Sequence, residues 1–205
     1  MKNILTALKY LKKTEPRFGT LIDEFGEPDF ELQDNYFKSL VRSIIYQQLS
    51  GKSAFAIYSR YLQLFNSTEF PSPHQVLAIP DSHYKSIGLS RQKTCYIKEI
   101  SQAFSNKEIV PENIPKMKDD EVRKQFIKIK GIGPWTIDMF LMFTLNRPDI
   151  LPVNDLGIQK GFKLFFRLNE LPDKNFMVEK AKNWKPFRTI ACWYLWKLVD
   201  DNFQW

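Results

Sequence analysis

Cysteine is scarce in this chain: Cys95 and Cys192 are the only two in 205 residues. That count excludes a disulfide framework and a four-cysteine metal site, and it suits a reducing, intracellular compartment. Long apolar runs are also missing, so the sequence offers no transmembrane helix and no membrane partner is expected. The opening MKNILTALKYLKKTEP interrupts its apolar residues with Lys9, Lys12 and Lys13 and supplies no small-residue cleavage site. It predicts an amphipathic first helix rather than a signal peptide. Alternating apolar runs bounded by turn residues are absent, which argues against strands. Internal repeats and low-complexity stretches are absent as well. Histidine is rare, and His74 and His83 fall in segments expected to be loops, where both read as surface residues.

What is present is basic and helical. Thirty Lys and Arg stand against 23 Asp and Glu, a formal charge of +7, which mildly favours a polyanionic partner. Hydrophobic content of 43% and charged content of 26% are ordinary for a globular protein of one sizeable domain, or one unit of two lobes. Phe37, Leu40, Val41, Ile44 and Ile45 repeat at helical spacing. So do Phe55, Tyr58, Tyr61, Leu62 and Phe65, and again Phe187, Ile190, Ala191, Tyr194, Leu195 and Leu198 after Pro186. Further helices are expected near 3–13, 16–25, 91–104, 119–130 and 155–169. Prolines 71, 73, 80, 111, 115, 148 and 152 mark short connections. The fold class is all-α.

Four segments carry candidate chemistry. In IKIKGIGPWT, residues 127–136, Val122, Phe126 and Ile129 end one helical stripe. Gly131-Ile132-Gly133 breaks it, and Pro134 opens the next helix. Ile137, Phe140, Leu141, Thr144 and Leu145 then resume the helical period. Hairpin amides backed by a helix N-terminus can hold an anion such as phosphate, although a GxG between helices often marks only a tight turn. In YQQLS, the helical stripe of residues 37–45 continues to position 48, where Gln48 is polar. That is either a helix end turning to solvent at Ser50-Gly51 or a Gln projected into a duplex. In LPVNDLG, Asn154 or Asp155 precedes a helix. Either caps it, worth about 1 kcal/mol, or Asp155 is a carboxylate whose charge the helix dipole favours and which faces a cleft. In WKPFRTIACWYLW, Trp193 and Trp196 lie off the main stripe of their helix. They either pack or line a cleft for a flat, electron-poor ring.

In order and spacing these segments resemble the helix-hairpin-helix GPD superfamily of DNA glycosylases, nearest its 3-methyladenine glycosylase II branch, over about Phe37 to Trp196. The resemblance implies two helical lobes flanking a cleft. The central lobe would span about 36–145 with the hairpin at 122–145, and the second lobe 1–35 plus 146–205, forming one glycosylase unit. It implies Asp155 as the catalytic carboxylate and Gln48 as the residue filling the space a flipped base vacates. Gly131, Ile132 and Gly133 would meet a DNA phosphate, and Trp135 and Trp196 would line the base pocket. Carbonyls of Ile127, Ile129 and Ile132 would coordinate a monovalent cation, Na+ or K+. Relatives that cleave the strand carry Lys where this chain has Trp135, and Trp has no amine for a Schiff base. The implied activity is therefore a monofunctional glycosylase for alkylated purines such as 3-methyladenine and 7-methylguanine.

The implied partner is damaged duplex DNA, bound by a monomer inside the cell, and the reaction opens base excision repair. No cofactor is expected, and two cysteines are too few for the iron–sulfur cluster of some relatives. The 36 residues before Phe37 leave no room for the extra N-terminal domain of the longer bacterial form. Two other readings differ in kind. A non-catalytic helix-hairpin-helix DNA-binding protein would need the hairpin but neither Asp155 nor the tryptophans. A lyase, or a glycosylase for oxidised or deaminated bases, on the same fold is disfavoured by Trp135.

Overall fold

The computed structural model describes residues 4–31, 33–49, 51–65, 67 and 69–201. Its helices are α1 (Ile4–Thr14), α2 (Arg17–Phe25), α3 (Tyr36–Tyr46), α4 (Gly51–Gln63), α5 (Pro73–Ala78) and α6 (Asp81–Ser86). They continue with α7 (Arg91–Ser105), α8 (Asp119–Phe126), α9 (Pro134–Met139), α10 (Leu156–Phe166), α11 (Lys174–Lys180) and α12 (Arg188–Val199). Short 3-10 turns at Pro111–Lys116 and Ala181–Trp184 and a π-helical turn at Phe140–Thr144 complete the set. Among the described residues there is no strand, in line with the all-α expectation. None of the described helices is long and apolar enough to cross a membrane.

The chain divides into two compact units, one of Met1–Leu32 with Leu141–Trp205 and one of Gln33–Phe140. In the first, α12 is buried at every position from Thr189 to Trp196, as expected of a helix that is apolar all round. The expected division of this helix into a main stripe and a second aromatic face therefore does not apply. An aromatic cluster fills the space beside it: Phe18 meets Trp184 edge-on at 5.2 Å, Phe162 lies 5.1 Å from Trp184, and Phe18 lies 6.3 Å from Tyr194. On α10, a Cβ at Gly161 would sit 2.6 Å from the Leu195 carbonyl oxygen. Only glycine lets α10 and α12 approach so closely.

The second unit is built around α3, whose buried Phe37, Leu40, Val41, Ile44 and Ile45 are the stripe read from sequence. This helix packs against α4, α7 and α9. Asn35, Ser72 and Ser90 cap α3, α5 and α7 by accepting backbone N–H bonds three residues on. The Tyr84 hydroxyl donates to the Val76 carbonyl at 2.7 Å, joining α5 to α6.

Several expectations need correction. His74 and His83 are exposed as expected, but they lie on α5 and α6 rather than in loops. Those six-residue helices are too short to show a period, and prolines at their starts read as breaks. Phe55 is 63% exposed, so α4 does not bury the whole expected stripe, and Phe65 lies beyond its end. The helix expected over 119–130 stops at Phe126. That expected over 155–169 stops at Phe166, where Arg167 adopts φ +53. Ser50 and Asn3, both within expected features, lie outside the described residues.

Gly161→Ala should lower thermal stability by about 1–3 kcal/mol, because the added methyl meets backbone that cannot rotate away. Gly51→Ala, with nothing within 4 Å, is the control and should be near neutral. Thermal unfolding of the two variants checks both statements.

Candidate active site

In the first unit, residues leading into α10 are pinned before Asp155 is reached. Arg188 grips Asp149 through Nε–Oδ1 at 2.6 Å and Nη2–Oδ2 at 2.9 Å, a bidentate pair. The Thr189 hydroxyl donates to the Arg147 carbonyl at 2.6 Å and accepts from the Ile150 N–H at 3.0 Å. Asp155 then caps α10, its Oδ1 accepting from the Ile158 N–H at 2.7 Å. The same oxygen accepts from the Trp196 indole N–H at 2.9 Å. Two donors on one oxygen fix the plane of a half-buried carboxylate at the positive end of a helix.

Trp196 is 6% exposed, and its ring lies 5.6 Å from that of Phe143. Gly157 makes its approach possible. A Cβ there would stand 2.8 Å from Trp196 Cδ1, 2.9 Å from Nε1 and 3.0 Å from Asp155 Oδ1.

The hairpin belongs to the second unit. The chain leaves α8 through Ile129 N–H to Phe126 O at 3.0 Å, and Ile132 N–H closes the turn on Ile129 O at 3.0 Å. The Ile132 amide is thus used within the hairpin, and its side chain is 3% exposed. Arg123 on α8 pairs with the buried Asp138 on α9 at 2.6 Å, a charge pair that holds the two helices of the motif together. The two glycines do different things. Gly131 has φ +95, and a Cβ there would lie 2.1 Å from Tyr96 Cγ, so Tyr96 packs directly on its backbone. Gly133 has an ordinary φ of −98, N-caps α9 and has nothing among the described residues within 4 Å of a Cβ position. Open space over a helix N-terminus is what an approaching anion requires. Trp135, half-buried, occupies the first turn of α9 beside that space.

For the expected cation, the hairpin carbonyls are hard oxygen donors of a fitting kind. Ile129 O uses one lone pair on the Ile132 N–H and keeps a second direction.

Gln48 does not continue the stripe of α3, which ends at Tyr46. Tyr46-Gln47-Gln48-Leu49 forms a turn closed by Leu49 N–H to Tyr46 O at 3.3 Å. With Gln47 at φ −51, ψ 130 and Gln48 at φ +57, this is a type II turn with Gln48 at the position that favours glycine. The Gln48 side chain is exposed. Gln47 stabilises the turn through Nε2 to the Thr136 hydroxyl at 2.9 Å, linking it to the first turn of α9.

Residues 41–186 match the model of the HhH-GPD superfamily of base excision DNA repair proteins. The chain belongs to the HhH-GPD superfamily. It is 34% identical over 163 residues to DNA-3-methyladenine glycosylase 1 of Schizosaccharomyces pombe, covering 78% of this chain and 71% of that protein. Among solved structures it is similar to a 3-methyladenine DNA glycosylase from that yeast in complex with abasic DNA. That match has a TM-score of 0.89 and 30% identity, and it covers 97% of this chain and all of the other. A DNA-3-methyladenine glycosidase from Bacillus halodurans matches with a TM-score of 0.80 and 34% identity, covering 95% of this chain and 89% of its own.

Within this HhH-GPD chain, Asp155 and Trp196 come together as one hydrogen-bonded pair. Gly131, Ile132, Gly133 and Trp135 share the hairpin, and Gln48 sits on a turn tied to α9. Sequence reasoning overlooked Gly157, Tyr96, Arg123, Asp138 and Lys93. Of these only Gly157 left a signal, as a small residue four positions before Gly161 on one helical face. Gln48→Gly should raise stability by about 1 kcal/mol by relieving the left-handed backbone. If Gln48 is kept for its side chain, the same variant should lose affinity for duplex containing an abasic site. Calorimetry and a binding titration read the two effects.

Proposed function

We propose that this chain is a monofunctional DNA glycosylase that hydrolyses the N-glycosidic bond of alkylated purines in duplex DNA. 3-Methyladenine and 7-methylguanine are the model substrates. The observation that carries the reading is Asp155 Oδ1 held between the Ile158 N–H and the Trp196 indole in a chain of this superfamily. The name borne by the yeast relative supports the substrate class. The yeast structure with abasic DNA supports DNA as the partner.

The target base is extruded from the stack at a cost of a few kcal/mol, and Gln48 fills the gap it leaves. The flipped purine carries positive charge, which favours stacking on the Trp135 face. As the glycosidic bond breaks, its electron pair passes to the base and neutralises that charge, so no general acid is needed. The sugar gains oxocarbenium character, which the Asp155 carboxylate stabilises by proximity. Water then bonds to the sugar carbon and loses a proton, with Asp155 placed to receive it. The products are the free base and an intact strand with an abasic site. Amides of Gly131 and Gly133 hold a backbone phosphate and read no sequence. Carbonyls of Ile127, Ile129 and Ile132 would hold a monovalent cation, whose positive charge would favour a phosphate at the hairpin. The protein acts as a monomer within the cell.

Base release from duplex containing 7-methylguanine should be readily measurable for the wild type. It should fall on the order of 100-fold or more in Asp155→Asn, with duplex binding retained. Duplex binding without base release by the wild type would overturn the reading in favour of a non-catalytic DNA-binding protein. Borohydride should trap no covalent adduct, because Trp135 offers no amine. A trapped adduct would overturn the monofunctional assignment.

A further inference from the structure

We infer that Lys93 is a positioning residue for Gln48, locking the peptide that holds Gln48 in its left-handed conformation. The inference rests on the glycosylase reading, in which Gln48 fills the space left by the flipped base. Lys93 stands at the third position of α7 and reaches to the end of α3. There its Nζ donates to the Ile45 carbonyl at 2.8 Å and to the Gln47 carbonyl at 2.8 Å.

The second bond is the informative one. Gln47 and Gln48 are the central residues of the type II turn, and the Gln47 carbonyl belongs to the peptide between them. Type I and type II turns differ by a flip of that peptide, and only type II places its second central residue at positive φ. Gln48, at φ +57, has no glycine's freedom to favour type II by itself. The ammonium on the Gln47 carbonyl opposes the flip, so it selects the backbone that aims Gln48. Its bond to Ile45 O fixes the ammonium against the negative end of α3, where a cation is favoured.

The location is otherwise unfavourable for lysine. In the first turn of its own helix a cation opposes the macrodipole, and burial pushes the Lys93 ammonium below its ordinary pKa. Lys93 is half-buried, and the Gln47 side chain braces the same turn from the other side through Thr136. A residue placed against its local preference and aimed at a strained peptide is accounted for by that peptide.

The test compares Lys93→Met, Lys93→Arg, Gln48→Ala and the Lys93→Met/Gln48→Ala double variant. The probe is duplex DNA with 2-aminopurine beside a 7-methylguanine, whose fluorescence rises when stacking beside the lesion is lost. Lys93→Met should reduce the fluorescence rise and slow base release about tenfold, matching Gln48→Ala, with affinity for undamaged duplex within about twofold. Lys93→Arg, which keeps a donor on the carbonyls, should recover most of the loss. The double variant should be no worse than Gln48→Ala alone, because Lys93 acts only through Gln48. A Lys93→Met protein that flips and releases base like the wild type overturns the assignment. So does a double variant whose losses add, which marks a general structural role. A wild type that releases no base would instead overturn the glycosylase reading.

Discussion

The geometry of the first unit depends on one carboxylate oxygen with two donors. Asp155 Oδ1 closes the first turn of α10 and receives the indole of α12, so one atom joins two helices at 2.7 and 2.9 Å. Hydrogen bonds to a charged acceptor contribute about 1.5–3 kcal/mol each, more than neutral ones, and they are directional. The contact needs a close helix pair, which Gly161 permits against the Leu195 carbonyl, and a cleared space at Gly157 for the indole itself. It also needs the preceding loop to arrive in register, which the Arg188–Asp149 pair and Thr189 secure. The Phe143 ring, 5.6 Å away, packs against Trp196.

The second unit is organised differently, with open space at Gly133 and an exposed Gln48 side chain. Its hairpin is braced behind by Tyr96 on Gly131 and by Arg123 with Asp138, while the space over Gly133 stays open. Its Tyr46–Leu49 turn holds Gln48 in a conformation that a glycine would adopt more easily. Strain of this kind persists only where neighbours over-determine it, and here Lys93 and Gln47 do so.

Much of this was legible in the sequence because it rests on period and punctuation. The stripe of α3, the break at Gly131–Gly133 and a cap at Asn154 or Asp155 followed from local rules, and the structure assigns the cap to Asp155. What escaped was set by tertiary contact. The helices α5 and α6 are too short for a period to show, and Phe55 occupies an apolar position that nothing covers. Gln48 was expected on the helical stripe because the type II turn has no glycine to announce it. Trp196 was read as a pocket wall, and its bond to Asp155, 41 residues away in sequence, leaves no trace in either segment. Lys93 lies 46 residues from Gln47, and no local pattern in the sequence links the two.

The proposed mechanism requires the Trp196 indole to hold the Asp155 carboxylate in place. Single-turnover base release from 7-methylguanine duplex by Trp196→Phe, which keeps a ring and removes the donor, tests it most directly. A rate about tenfold below wild type is the result predicted for losing a hydrogen bond to a charged group. Affinity for duplex should be unchanged, and an Asp155→Asn background should show no further loss. A Trp196→Phe enzyme that releases base at the wild-type rate would contradict the account.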